Sequence, residues 1–207
     1  MFRKSLGIAL GLALGVCFYL GVQNKSQAKT KPAAAGQAPV QTVPQVDLNR
    51  YMGQWYELAT IPMFFERRCT GNVTANYKLL PNGQVEVLNS CEVKGGHRIV
   101  STGRAKVVDA QTHAKLKVTF LNLFGWRFLA GGDYWIIALD PDYGYAIVGH
   151  PTRRYGWILS RTPELPKATL QALSTRLTQQ GYDPCLFLTT PQQNGLSERR
   201  PLCEVVK

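Results

Sequence analysis

Between Gln54 and Arg161, apolar and polar residues alternate with a period of two, and turn residues interrupt the alternation every 8–14 residues. Such a pattern describes short strands with one buried face. Val73, Ala75, Tyr77 and Leu79 alternate with polar neighbours. Pro81-Asn82-Gly83-Gln84 then reads as a two-residue hairpin turn through Asn-Gly, and Val85 and Val87 resume the alternation. Lys94-Gly95-Gly96 leads into a weaker strand at about 98–108, and Leu116, Val118 and Phe120 alternate with Lys115, Lys117 and Thr119. Gly131-Gly132 precedes a strand at 133–140, Pro141-Asp142-Tyr143-Gly144 turns into 145–150, and a last strand covers 155–161. With 54–61 this makes eight consecutive strands. One helix follows, with Pro166 in its first turn, Leu170, Leu173 and Leu177 on one face and Gly181 as its stop. Residues 186–189 suit a ninth short strand.

Eight sequential antiparallel strands form either a sandwich or a closed up-and-down barrel. Closure removes the exposed edges and leaves an interior just wide enough for side chains or one small ligand. The expected fold is therefore all-β: an eight-stranded antiparallel up-and-down β-barrel with one C-terminal helix packed on the outside. The 207 residues suffice for one such domain and an appendage.

The net charge of +11 raises the question of nucleic acid. Arg3, Lys4, Lys25, Lys29 and Lys31 supply +5 of it within residues 1–46, which contain no acid, leaving +6 for the remainder. There the basic residues are scattered in nothing longer than doublets, without the basic stripe and aromatic platforms of a nucleic-acid site. The surplus suits solubility or attraction to anionic surfaces.

Met1–Lys4 carries two positive charges, Leu6–Val22 is uncharged, and Ser26-Gln27-Ala28 offers the small residues of a cleavage site. Residues 1–28 read as a secretory signal peptide or, if uncleaved, a membrane anchor, and the remainder as exported. Cys17, within Leu14-Gly15-Val16-Cys17, is an alternative point of lipidation. Residues 29–46, rich in Ala, Pro, Gln and Thr, read as a flexible tether. They precede a domain at 47–191 and a tail at 192–207. The four later cysteines, Cys69, Cys91, Cys185 and Cys203, suggest two disulfides with three possible connectivities. The histidines stand alone and no Cys-x-x-Cys occurs, so neither a metal nor a cofactor is expected.

Three blocks, Gly53–Leu58, Leu139–Ala146 and Trp157–Pro163, resemble signatures of the lipocalin family. Gly53-Gln54-Trp55-Tyr56-Glu57-Leu58, after Asp47-Leu48-Asn49-Arg50-Tyr51, is similar to its first signature. Leu139-Asp140-Pro141-Asp142-Tyr143-Gly144-Tyr145-Ala146 resembles the turn between the sixth and seventh strands, although the usual Thr-Asp-Tyr is replaced. Trp157-Ile158-Leu159-Ser160-Arg161-Thr162-Pro163 resembles the eighth-strand signature. The span is most similar to the bacterial outer-membrane lipocalins and their relative apolipoprotein D. The resemblance implies a structural role for Gly53, Trp55 and Arg161, with Trp55 closing the narrow end of the barrel and Arg161 stacked over it. It favours Cys69–Cys91, with Cys185–Cys203 stapling the tail; a Cys69–Cys203 link, on the apolipoprotein D pattern, is the alternative. In the two-residue hairpin register Cys91 faces Thr74, which leaves Cys69 about 17 Å away unless a bulge near Gly71 shortens the path.

Parity from Trp55 and Arg161 turns Glu57, Ala59, Leu159 and Trp157 inward as well. The proposed ligand-contacting set is Tyr77, Val87, Asn89, Val118, Phe120, Tyr134, Ile136, Tyr145, Ile147 and Trp157, with Glu57 either satisfied by a polar neighbour or orienting a ligand headgroup. On the sixth and seventh strands the opposite face, with Trp135, Ile137, Ala146 and Val148, is apolar too. The family resemblance implies a binding protein for a small hydrophobic ligand; an apolar pocket with aromatic hydroxyl groups suits a fatty acid or lysophospholipid, and the apolar loops with their arginines make a membrane surface a further expected partner. An enzyme on the same fold and a filled barrel used for protein contacts are the alternatives. Met63, Phe64 and Phe65 on one loop, and Leu121, Leu123, Phe124, Trp126, Phe128 and Leu129 on another, with Arg67, Arg68 and Arg127 beside them, suit either a buried lid or a membrane-contact rim.

Overall fold

The computed structural model describes residues 37–207, so the expected export segment at 1–28, Cys17 included, lies outside the described residues. Asp47 caps a four-residue helix α1 (Leu48–Tyr51), its Oδ1 accepting from the Asn49 N–H at 2.8 Å. The strands follow as β1 (Gly53–Thr60), β2 (Cys69–Leu79), β3 (Val85–Val93), β4 (Arg98–Val107), β5 (Lys115–Thr119), β6 (Gly132–Leu139), β7 (Tyr145–Gly149) and β8 (Gly156–Ser160). Each pairs antiparallel with the next, and β1 pairs with both β8 and β2, which closes the barrel. Helix α2 (Lys167–Gln179), strand β9 (Leu188–Thr189) beside β1, and a final turn of helix α3 (Leu202–Val205) complete the chain. The up-and-down order places the connections 61–68, 94–97, 120–131 and 150–155 at one end of the barrel. Those at 80–84, 108–114 and 140–144 lie at the other, with α1.

Two apolar layers result. Inside, Tyr51, Trp55, Tyr77, Val85, Val87, Leu116, Ile136, Val148 and Leu159 form one cluster. Outside, Leu170, Leu173 and Leu177 of α2 cover Leu58, Ile137, Ile147 and Ile158. Each fully buried aliphatic side chain there contributes about 1.5–3 kcal/mol, enough to hold the amphipathic helix on the wall.

The structure corrects several expectations. The first hairpin has three loop residues: Thr74 faces Ser90 and Leu79 faces Val85, while Leu80 N–H bonds the Gln84 carbonyl. Gly83 at φ +77° supplies the left-handed residue that such a loop needs after its type I turn. Register shifts between Cys69 and Gly71 and between Gly71 and Thr74 then bring Cys69 to Cys91, with Cα atoms 5.6 Å apart in the bridge. Cys185 and Cys203 form the second bridge. A bulge between Glu57 and Ala59 turns Ala59 into the outer layer instead of inward. Tyr145 and Ile147 also belong to the outer layer, under α2, while Ala146 and Val148 face the interior. The small Ala146 fits where Trp55 and Tyr51 already crowd the closed end.

Residues 37–46, expected as part of a free tether, are docked on the domain. Val40 and Val46 are buried, Val43 N–H donates to the Ile136 carbonyl at 2.9 Å, and Val46 N–H to the Thr112 carbonyl at 2.8 Å. The valines recur every third residue, the period of an extended polyproline-like strand that presents one edge to a surface.

Candidate functional site: a barrel interior open at one end

The closed end is built around Trp55, which has no exposed surface. Its indole N–H donates to the Tyr51 carbonyl at 2.8 Å, and the Arg161 guanidinium lies 3.8 Å from the centre of its ring. Arg161 Nη1 also donates to the Gln54 carbonyl at 2.7 Å, and Nη2 to the Arg50 and Met52 carbonyls at 2.8 Å each. One planar fork thus covers the tryptophan and ties the lead-in segment to the last strand, which a lysine could not do. Gly53 sits at φ +91°, and a Cβ there would stand 3.4 Å from Arg161 Nη1. That distance is ordinary van der Waals contact, so what the position demands is the left-handed backbone, which glycine adopts without strain.

Above this plug three phenols meet. Tyr51 and Tyr134 hydroxyls are 2.8 Å apart, and Tyr77 and Tyr134 hydroxyls 3.1 Å. Burial raises all three pKa values, that of Tyr77 to about 12, so all are neutral phenols at physiological pH. A void of about 20 Å³ beside them, lined by Leu48, Met52, Val85, Ala105, Leu116 and Val118 among others, has room for a water but not for an acyl chain. The lower barrel is therefore filled.

The upper barrel differs. Val118, Tyr134 and Trp157 join the interior cluster yet remain only half-buried. Tyr134 and Trp157 stack with ring centres 6.5 Å apart. Asn89, one inward step above Val87, has a buried Oδ1 with no hydrogen-bond partner among the described residues. Phe120, just beyond β5, is 47 % exposed, and its ring lies where a Cβ on Gly103 would come within 2.8 Å. It marks the mouth. Of the expected contact set, the interior holds Tyr77, Val87, Val118, Tyr134, Ile136 and Trp157, with Asn89 above them and Phe120 at the rim.

Glu57 occupies a seam. β1 and β2 pair only through Gly53–Tyr56 and Thr74–Tyr77; beyond that, residues 188–193 fill the gap between them. Thr190 N–H donates to the Leu58 carbonyl and Asn72 N–H to the Pro191 carbonyl. Gln192 Nε2 donates to the carbonyls of Glu57 and Val73, at 2.7 and 2.9 Å. The buried Glu57 carboxyl accepts from Thr190 Oγ1 at 2.6 Å, borders Glu66 and Arg199, and shares with them a void of about 10 Å³. Burial raises Glu57 to about 8, with the charge of Glu66 adding and the Thr190 bond and Arg199 opposing. Burial likewise raises Glu66 to about 7, against the hydrogen bond of Trp157 and the charge of Arg199. Glu57 is thus satisfied by a polar neighbour within the seam.

Two predictions arise here. Gln192→Ala strips two carbonyls of their shared donor and should cost about 1–3 kcal/mol in urea unfolding. Both glutamates hold protons in the folded state that the unfolded chain, at about 4.5, releases earlier. Their contribution to stability is therefore full below about pH 4.5 and is lost as pH rises through 7 to 8. Glu57→Gln should flatten that part of the thermal-midpoint profile.

Sequence reasoning missed Tyr51, Glu66, Thr190, Gln192 and Arg199. Tyr51 precedes the strands, and the others lie in loops, where no period reveals direction. Leu116 and Val85 shared the alternation of Val118 and Val87 and could have been named from it.

A family model described as a lipocalin-like domain matches residues 46–192. Temperature-induced lipocalin-1 of Arabidopsis thaliana is 35 % identical over 156 residues, covering 75 % of this chain and 84 % of that protein. Outer membrane lipoprotein Blc of Escherichia coli strain K12 is 38 % identical over 154 residues, 74 % of this chain and 83 % of the relative. Apolipoprotein D of Mus musculus is 37 % identical over 156 residues, 72 % of this chain and 78 % of its own. Among solved structures, insecticyanin from the tobacco hornworm Manduca sexta superposes with a TM-score of 0.60 at 22 % identity, over 80 % of this chain and 94 % of that one, a likeness of fold. By its barrel, its Trp55–Arg161 plug and these relatives, the chain belongs to the lipocalin family.

Proposed function

We propose that this lipocalin binds one small hydrophobic ligand with a single long chain, a fatty acid or lysophospholipid, in the upper half of its barrel. In this reading it carries or sequesters that ligand in the cell envelope after export. One observation supports the proposal: Val118, Tyr134 and Trp157 turn into the barrel and are only half-buried, while the opposite end is sealed by Trp55 and Arg161. Apolar side chains left half-buried above a sealed end gain free energy from a chain that covers them. The proposed contacts are Val118, Phe120, Tyr134 and Trp157 along the chain, with Tyr77, Val87 and Ile136 beneath. Asn89 Oδ1 and Glu57 supply polar points. Export is supported by the charged, apolar and small-residue order of residues 1–28 and by relatives named outer membrane lipoproteins.

Displacement of a fluorescent fatty-acid probe tests this. Affinity should rise roughly four-fold per methylene, at ~0.8 kcal/mol each, until the chain outgrows the well. No displacement at any length would contradict the proposal. Glu57→Gln should alter the preference between a lysophosphatidylcholine and the fatty acid of equal chain length by several-fold, leaving the chain-length dependence intact. An unchanged preference removes Glu57 from headgroup recognition. The small void in the lower barrel favours a second reading, a filled barrel whose surface binds protein; in that case no chain length binds.

A further inference from the structure

The two loops expected either to fold over the cavity or to form a rim point outward. Phe64 and Phe65 are 72 % and 54 % exposed, Leu123 is 56 % exposed, and Phe124 and Leu129 are fully exposed. Their neighbours do not follow. Trp126 lies under the Arg104 guanidinium and Phe128 under the Lys106 ammonium, so the 120–131 loop is anchored to the wall by two rings while three apolar side chains project. Both loops are at the open end of the barrel.

Charge divides along the same axis. The four open-end connections carry Arg67, Arg68, Lys94, Arg127, Arg153 and Arg154 against one acid, Glu66, which is turned in towards Glu57 and Trp157. The three connections at the closed end carry Asp109, Asp140 and Asp142 and no basic residue. None of the six open-end cations forms a salt bridge with an acid among the described residues. Arg153 is spent on the carbonyls of Gln180 and Ala38, but Arg67, Arg68, Lys94, Arg127 and Arg154 are exposed around the projecting rings. A net-charge surplus spread for solubility would not sort itself by barrel end.

We infer that the open end is a docking surface for an anionic lipid bilayer, entered mouth-first. Phe64, Phe65, Leu123, Phe124 and Leu129 insert at the headgroup boundary, and the ring of basic residues lies against the lipid phosphates. Apolar side chains give insertion and basic ones attract acidic lipid, the combination that holds peripheral proteins on such surfaces. These side chains project from two separate loops, Phe64 and Phe65 edge to face and the other three beyond the anchored rings, and form no groove, as suits a fluid surface. The closed end sets Asp47, Asp109, Asp140 and Asp142 against Arg50 and Arg161 and so offers no basic surplus, which fixes the orientation as well as the affinity. The inference does not depend on the barrel being loaded.

The test uses the full chain with vesicles of phosphatidylcholine, with and without 30 % phosphatidylglycerol. Phe124→Ser combined with Leu129→Ser should lower binding to the anionic vesicles about ten-fold, and half-molar salt should do the same for the unaltered chain. Because residues 1–36 are unchanged in the variant, the difference reports the loops. Orientation is read separately: Phe124→Trp should gain fluorescence that brominated acyl chains quench, while Pro81→Trp, at the closed end, should not be quenched. Equal binding by the double variant, equal quenching at both ends, or a self-association that Phe124→Ser abolishes without any vesicle binding would overturn the inference.

Discussion

Replacing Trp55 with alanine should lower the free energy of unfolding by about 3–5 kcal/mol. The side chain is fully buried, so its removal leaves a cavity that the surrounding strands cannot collapse into. Tyr51 loses a ring partner at 4.9 Å, its carbonyl loses the indole donor, and Arg161 is left without the ring beneath it. Urea unfolding followed by far-ultraviolet circular dichroism measures the change. Arg161→Lys should be milder, because the cavity does not form, yet it should still cost about 1–2 kcal/mol, since one ammonium cannot serve three carbonyls and stack on a ring. A Trp55→Ala variant within 1 kcal/mol of the parent would mean that the closed end is not the structural plug described.

The second large effect concerns binding. Val118→Trp should weaken the fatty-acid probe about a hundred-fold or more while the fold survives. Val118 faces inward from β5 and is only half-buried, so an indole there would occupy the space in which the proposed chain lies. Overpacking of a half-open site costs about 1–3 kcal/mol in stability, and a ligand chain that loses three or four methylenes of burial loses a comparable amount in affinity. The control is Ile147→Val, a conservative change in the outer layer under α2, which should leave probe affinity unaltered. Together the two variants separate loss of the well from general loosening of the barrel.

The fold was legible because β2 and β3 each bury one face and wet the other, so a period of two carries direction. It fell silent where a strand is covered on both sides. In β7, Tyr145, Ala146, Ile147 and Val148 are all apolar because α2 covers the outer face, and parity alone could not choose Ala146 and Val148 for the interior. Bulges defeated it next: one between Glu57 and Ala59 reverses the face of every later residue in β1, and those around Gly71 rescue a disulfide that ideal register forbids. The Asn-Gly pair announced a hairpin but not whether its loop held two residues or three. Least readable was the seam, where Gln192 and Thr190 come from a stretch far along the chain and carry no pattern linking them to Glu57.

The central claim is that the upper barrel holds one hydrophobic chain, and native mass spectrometry of the purified protein tests it most directly. With lysophospholipids or fatty acids offered in slight excess, the spectrum should show a single added ligand mass on the parent chain, and that species should be largely absent from Val118→Trp. A parent chain that stays unliganded under the same conditions, or a ligand mass retained equally by Val118→Trp, would contradict it.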